Sequence, residues 1–200
     1  HRPVNTSSRL AEVRYEIRGT LSHRARDLEA EGREIIRLNI GNPGAFGFET
    51  PAHVRDAVMR SLPRSEAYCQ QQGLPQAREA IADQQRSRGS ATVNADRVFI
   101  GNGVSELIDL SLRALLEPGD EVLIPAPDYP LWTAATLLNG GRAVHYPCPA
   151  QRAHLPDIDE MAALITPRTR AIVLINPNNP TGANYPRELL EGIVELARRH

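Results

Sequence analysis

The sequence predicts an α/β fold: a mainly parallel sheet with helices on both faces. Three observations point there. From Arg97 onward, short apolar runs alternate with amphipathic stretches in a strand, loop, helix rhythm. The runs are continuous rather than alternating, as in Ala171-Ile172-Val173-Leu174-Ile175, which suits a strand buried on both faces. The loops between them carry the glycines and prolines that end strands and helices.

Each element follows from local signals. Leu10, Val13, Ile17, Leu21 and Leu28 recur at helical spacing and predict a helix from about Arg9 to Glu31, with Gly19 able to divide it and Gly32 as its stop. Ile35 to Ile40 reads as extended and ends in Gly41-Asn42-Pro43-Gly44. Thr50 as cap and Pro51 at the first helical position predict a helix to about Leu62. Leu74-Pro75 opens another, carried by Ala77, Ala80 and Ile81 and closed by Gly89.

Val98 to Ile100 then reads as a short strand leading into Gly101-Asn102-Gly103 and a helix from Val104 to Leu116. Strands are expected at Glu121–Ile124, Ala143–Tyr146 and Ala171–Ile175, with helices at Pro130–Leu138, Ile158–Ile165 and Pro186–Arg199. No strand follows the last helix, so the domain reads as incomplete, with strand edges and apolar helix faces left uncovered. Parallel sheets bind ligands beyond the carboxyl ends of their strands, which directs attention to the loops after Ile100 and Ile175.

Composition narrows the function classes. Twenty-three basic against 24 acidic side chains leave a formal charge of −1, so no field favours nucleic acid or an anionic membrane. No apolar run approaches the roughly 20 residues that span a bilayer, and no basic-then-apolar leader follows His1, so a cytoplasmic location is expected. Cys69 and Cys148 cannot form a disulfide framework, and the six histidines include no pair at ligand spacing, so no metal is expected. All 23 basic residues are arginine. Without lysine, these 200 residues offer no side-chain amine for Schiff-base chemistry and no phosphate-binding loop of the G-x-x-x-x-G-K-[ST] kind.

Four loops could carry chemistry. Gly101-Asn102-Gly103-Val104-Ser105 lets backbone approach a ligand just where a helix N-terminus offers amides and a positive dipole end, a setting suited to phosphate. It reads equally as a plain turn. Pro127-Asp128-Tyr129-Pro130 places an aromatic ring where it could stack on a flat cofactor or cover the sheet edge. Asn176-Pro177-Asn178-Asn179-Pro180-Thr181-Gly182 combines fixed backbone with amide donors and acceptors. Gly41-Asn42-Pro43-Gly44 is a turn whose glycine could bare an N–H to a carboxylate. Asp128, Asp157 and Asp159 read as solvated loop acids.

Taken together with Tyr68 ahead of Gly73-Leu74, these segments stand in the order and spacing of the class I pyridoxal-phosphate aminotransferases, which the whole chain resembles. The stretches Ala126–Ala135 and Asn102–Ile108 look most like the bacterial glutamate–pyruvate (alanine) enzymes of that family. The resemblance implies fold type I of the pyridoxal-phosphate-dependent transferases, present in part. Residues 1–36 would be the amino-terminal arm and helices, and 37–200 the first half of the large coenzyme-binding domain.

Site residues follow position by position. The resemblance implies that Gly103, Val104 and Ser105 cradle the phosphate of pyridoxal 5'-phosphate and that Tyr129 stacks on its ring. Asn179 would bond the ring's phenolic oxygen and help hold the substrate carboxylate, which Gly41 would also meet. Tyr68 would reach the phosphate of the other subunit of a homodimer with shared active sites. Tyr15 and Arg18 lie on a segment that would fold over the substrate. The implied reaction moves an amino group between an amino acid, alanine foremost, and a 2-oxo acid such as 2-oxoglutarate or pyruvate.

The departures are as informative. The family's Schiff-base lysine, the aspartate under the pyridine nitrogen, a second tyrosine and two arginines all follow the Asn-Pro-Thr-Gly loop in family order. The chain therefore reads as the amino-terminal half of such an enzyme, expected to be inactive by itself. Two other readings stay open: a lyase or synthase on the same scaffold, and a non-catalytic sensor or remnant.

Overall fold

The computed structural model describes residues 5–13, 19–37 and 41–200. They fall in two compact units, one within His1–Ile17 and Asn102–His200, the other within Arg18–Gly101.

The first unit is built on a three-stranded parallel sheet, β1 (Glu121–Ala126), β2 (Arg142–Pro147) and β3 (Thr169–Ile172), in the order β2-β1-β3. β1 pairs with β2 from Glu121↔Arg142 to Ala126↔Pro147, and with β3 from Glu121↔Thr169 to Leu123↔Ile172. β1 is paired at both edges and covered on both faces, and residues 121–125 are all buried. Its side chains alternate into two cores. Val122 and Ile124 join Ile108 and Leu112 from helix α4 (Val104–Leu115), its C-cap Leu116, and Ala135 from α5 (Leu131–Leu138). Leu123 points the other way, to Tyr146, Met161 of α6 (Ile158–Ala163), and Ile193 and Leu196 of α7 (Arg187–Arg199). Helices therefore cover both faces, as the apolar runs predict.

Polar groups tie the N-terminal ends of the strands together. Glu121, fully buried, accepts from Thr166 Oγ1 at 2.6 Å, and its other oxygen lies 2.9 Å from Arg142 Nη2. Asp120 accepts from the Glu117 amide and from Arg170 Nε on β3, at 3.0 and 2.9 Å. The Glu117 amide first, and Arg170 with it, hold the Asp120 carboxyl below its ordinary value. On the far face, Tyr146 Oη donates to Val173 O at 2.7 Å, and burial drives its phenol well above the usual range, so it stays a donor.

The second unit holds α1 (Gly19–Ala30), α2 (Ala52–Ser61) and α3 (Pro75–Ser87). Gly19 begins α1, and Ser8–Ala11 forms a separate 3-10 turn. Thr50 caps nothing: Pro51 itself is the N-cap of α2, extended at ψ 140°, so the helix starts one residue later than its sequence suggests. Val98 to Ile100 is not a strand. The Ile100 amide donates to Gln72 O at 2.9 Å, a loop carbonyl, which leaves the run outside the sheet.

The Ala171–Ile175 run is only partly enclosed. Among the described residues β3 pairs with β1 alone, Leu174 is exposed, and a groove of about 550 Å³ lined by Ile165, Ala171, Ile172, Val194 and Ala197 runs along its outer edge. Among the described residues, no helix is long and apolar enough to cross a membrane.

Leu123 is fully buried at the centre of β1. Leu123→Ala should therefore cost about 2–5 kcal/mol, read as a lower urea midpoint at unchanged m-value. Asp120 gives the pH dependence. A carboxyl held below its unfolded value adds stability above that value, and the gain is lost as pH falls through the folded pKa. Asp120→Asn should be less stable than the parent at neutral pH, and the gap between their urea midpoints should close on acidification. A gap independent of pH would refute this.

Candidate active site

The residues of interest in the first unit converge on one end of the sheet. A methyl on Gly141 would fall 2.9 Å from Leu116 Cδ1 and 3.2 Å from Asp120 O, so the C-terminal end of α4 meets the start of β1. The 12 residues of α4 extend about 18 Å, close to the length of β1, and run back along it. The N-terminus of α4 therefore sits where β1 ends and Pro127 to Tyr129 begins.

That N-terminus is open. Its N-cap is Gly103, at φ 90° and ψ 172°, a conformation that glycine alone adopts without strain, and no side chain among the described residues caps the first-turn amides. Val104 and Ser105 are exposed. Glu106 turns its carboxylate back to the Asn102 amide at 2.5 Å, so it satisfies the loop and leaves the first-turn donors alone. Unsatisfied amides and the positive end of the helix dipole make this an anion cradle.

Tyr129 is half-buried against the α4–α5 core, and its carbonyl accepts from the Trp132 amide at 3.0 Å as α5 begins. Asp128 beside it is not a solvated acid. It accepts from Thr133 Oγ1 at 2.7 Å, and Thr133 Oγ1 lies 2.9 Å from His145 Nε2 on β2. These bonds fix the turn that presents the ring. Asp157 is likewise an N-cap: its Oδ1 accepts from the amides of Asp159 and Glu160 at 2.9 and 3.0 Å. Asp159 itself is exposed.

The loop after β3 divides its asparagines by role. Asn179 is exposed. Asn178 is buried and organises the loop. Its Nδ2 donates to Thr181 Oγ1 at 2.8 Å and to Pro127 O at 3.4 Å, its N–H to Ala183 O at 2.7 Å, and its own carbonyl accepts from Gly182 at 2.8 Å. Asn178 thus joins the Asn179 loop to the Tyr129 loop. Its Oδ1 is buried with no partner among the described residues. Asn176 Oδ1 accepts from the Tyr185 amide at 2.8 Å, which pins the far end of the loop.

Gly41 and Tyr68 belong to the second unit. Gly41 is exposed ahead of the 3-10 turn Pro43–Phe46, and a methyl there would meet nothing within 4 Å, so no crowding demands glycine. Tyr68 is fully exposed in the loop after α2. Tyr15 and Arg18 lie outside the described residues. Among the described residues, no group of three His, Cys, Asp or Glu could hold a metal ion.

What the sequence reading missed is the hydrogen-bonded support: buried Asn178 with Thr181, Asn176, and the Asp128–Thr133–His145 chain. Asp157 carried a usable signal, an acid three residues ahead of a glutamate at the start of an apolar stretch.

Comparison with known proteins gives this geometry its context. The family model for class I and II aminotransferases matches residues 33–200. The glutamate-pyruvate aminotransferase AlaA of Escherichia coli (strain K12) is 52% identical over 198 residues, covering 99% of this chain and 49% of that protein. An alanine aminotransferase of Mycobacterium tuberculosis (strain H37Rv) is 50% identical over 195 residues, covering 97% and 46%. Among solved structures, an aminotransferase from Escherichia coli superposes with a TM-score of 0.93 at 52% identity, over 99% of this chain and 49% of that one. The alanine aminotransferase from Pyrococcus furiosus does so with a TM-score of 0.91 at 39% identity, over 98% and 50%. The chain spans about half the length of these relatives, and it belongs to the class I and II aminotransferases.

Proposed function

We propose that the protein to which these residues belong transfers an amino group between an amino acid, alanine foremost, and a 2-oxo acid, with pyridoxal 5'-phosphate as coenzyme. The observation that carries the reading is the α4 N-terminus: uncapped amides behind Gly103, at the same sheet end as Tyr129 and the exposed Asn179. The 52% and 50% identities to relatives named for glutamate–pyruvate and alanine transamination favour alanine as donor.

The residues present fit such a group. The amides of the first turn of α4 and the Ser105 hydroxyl would take its phosphate dianion, where the helix dipole favours negative charge. Tyr129 would set the plane of the ring, and its half-buried seat limits the ring's freedom to tilt. Asn179 would donate from Nδ2 to the phenolic oxygen. With Gly41, it would also hold the substrate carboxylate. Tyr68 would reach the phosphate in the partner subunit of a homodimer, and Tyr15 and Arg18 would close over the substrate. Bound coenzyme supplies an electron sink for the pair left when the amino acid loses its alpha proton.

In this reading, residues 37–200 are the first half of the coenzyme-binding domain, 1–36 the arm, and the working location is the cytoplasm. None of the 200 residues is lysine, so this chain's share is to bind and orient, not to supply an amine.

The test is to complete the polypeptide to the length of its relatives and supply alanine and 2-oxoglutarate. Pyruvate and glutamate should form together. No pyruvate, and no oxo acid from any common amino donor, would end the reading, and release of ammonia or a thiol would mark a lyase. Asn179→Ala should lower kcat/KM about 10- to 150-fold, as loss of a hydrogen bond to a charged group worth about 1.5–3 kcal/mol. Gly103→Ala forces a side chain into a glycine-only conformation at a cost of about 1–3 kcal/mol. It should weaken coenzyme binding in equilibrium dialysis; unchanged affinity would remove the α4 N-terminus from the site.

A further inference from the structure

Arg78 is the most unusual buried side chain among the described residues. It lies one turn into α3, is only 6% exposed, and among the described residues pairs with no carboxylate. Its guanidinium instead donates to four neutral oxygens: Gly73 O and Gln72 Oε1, each at 3.2 Å, Ala95 O at 3.0 Å, and Gln70 Oε1 at 2.7 Å. Three of the four belong to the turn Gln70–Gly73, which begins two residues after Tyr68.

The turn is pinned from its other sides as well. Gln72 Nε2 donates to Asp96 O at 3.0 Å, the Gly73 amide to Gln70 O at 2.8 Å, and the Ile100 amide to Gln72 O at 2.9 Å. Gly73 sits at φ 105°, where an added methyl would come within 2.9 Å of Ile100 Cβ. Beyond this pinned turn the chain becomes exposed, and Tyr68 has no neighbour covering it. A buried cation without a counter-charge is costly, and an apolar side chain of the same length would often serve the fold as well or better. The expense needs a use, and the bonds show where it goes: into one conformation of one turn.

We propose that Arg78 is a positioning residue that holds the Gln70–Gly73 turn and thereby fixes where Tyr68 is presented to the coenzyme phosphate. The inference rests on the reading of Tyr68 given above. Arg78 touches neither substrate nor coenzyme. It acts through Gln70, whose amide is its shortest bond and the one nearest Tyr68 in sequence. A fold role alone would make Arg78 matter whatever stands at position 68. A positioning role makes its effect on the coenzyme depend on the Tyr68 hydroxyl.

The experiment is a double-mutant cycle on the completed polypeptide. It reads the dissociation constant of pyridoxal phosphate by equilibrium dialysis, alongside thermal melting. Tyr68→Phe should weaken binding by about tenfold, the loss of one hydrogen bond to a charged group. Arg78→Met and, independently, Gln70→Ala should each weaken it by about three- to tenfold, and the loss should disappear in the Tyr68→Phe background. Gln70 is exposed, so Gln70→Ala decides the matter if Arg78→Met does not fold. Weakening by Tyr68→Phe with no effect of Gln70→Ala, or the same loss in both backgrounds, would overturn the inference alone. No effect of Tyr68→Phe would overturn the reading of Tyr68, and the inference with it.

Discussion

Everything in the first unit hangs on β1 having no free side. β2 and β3 take its backbone on either edge, and its side chains alternate between two cores, Val122 and Ile124 to one and Leu123 to the other. A strand so enclosed cannot slip by one residue without turning Leu123 into the wrong core and Glu121 away from Thr166 and Arg142. Its C-terminal end is therefore a fixed reference point. The Tyr129 turn leaves from it directly, the Asn179 loop is tied to that turn through Asn178, and α4 runs back along it to bring an open N-terminus alongside.

The same alternation explains why so much of the fold was legible in the sequence. The leucines and isoleucines of α4 and the unbroken run at β1 can serve no purpose outside a two-faced sandwich. Where reading failed, the apolar signal was short or shared. Val98 to Ile100 is three residues, too few to specify a partner, and a loop carbonyl claimed the backbone first. Ala171 to Ile175 has the composition of a doubly covered strand, yet pairing is a property of neighbours, and among the described residues β3 has one. At Thr50-Pro51 two good cap signals stood side by side, and the extended backbone of Pro51 took the position.

The candidate site was legible as a set of loops but not as a set of roles. Three asparagines within four residues have no periodicity to say which faces the core, and only packing separates buried Asn178 from exposed Asn179. Motif resemblance selected Asn179 without revealing what holds it. Arg78 was hidden differently. It shares the buried face of α3 with Ala82, four residues on, so helical spacing places it inward. Its charge argued that it should be outside, and polarity outweighed position.

A common design joins Asn178 and Arg78. Each is a buried polar side chain whose partners are neutral, half of them backbone carbonyls, and each holds a loop that carries an exposed side chain with a proposed part in binding: Asn178 beside Asn179, and Arg78 on the turn that begins two residues after Tyr68. Hydrogen bonds to carbonyls specify direction as well as distance, which apolar contacts do not. An apolar side chain at either place could fill the volume but would leave the loop free to settle in several arrangements. The exposed residues, Asn179 and Tyr68, gain accessibility by projecting from loops, and the usual consequence of projection is loss of position. Burying a directional group just behind each one restores position without covering it. That arrangement accounts for why the strongly bonded side chains that hold the two loops, Asn178 and Arg78, are not the ones that would meet the ligand.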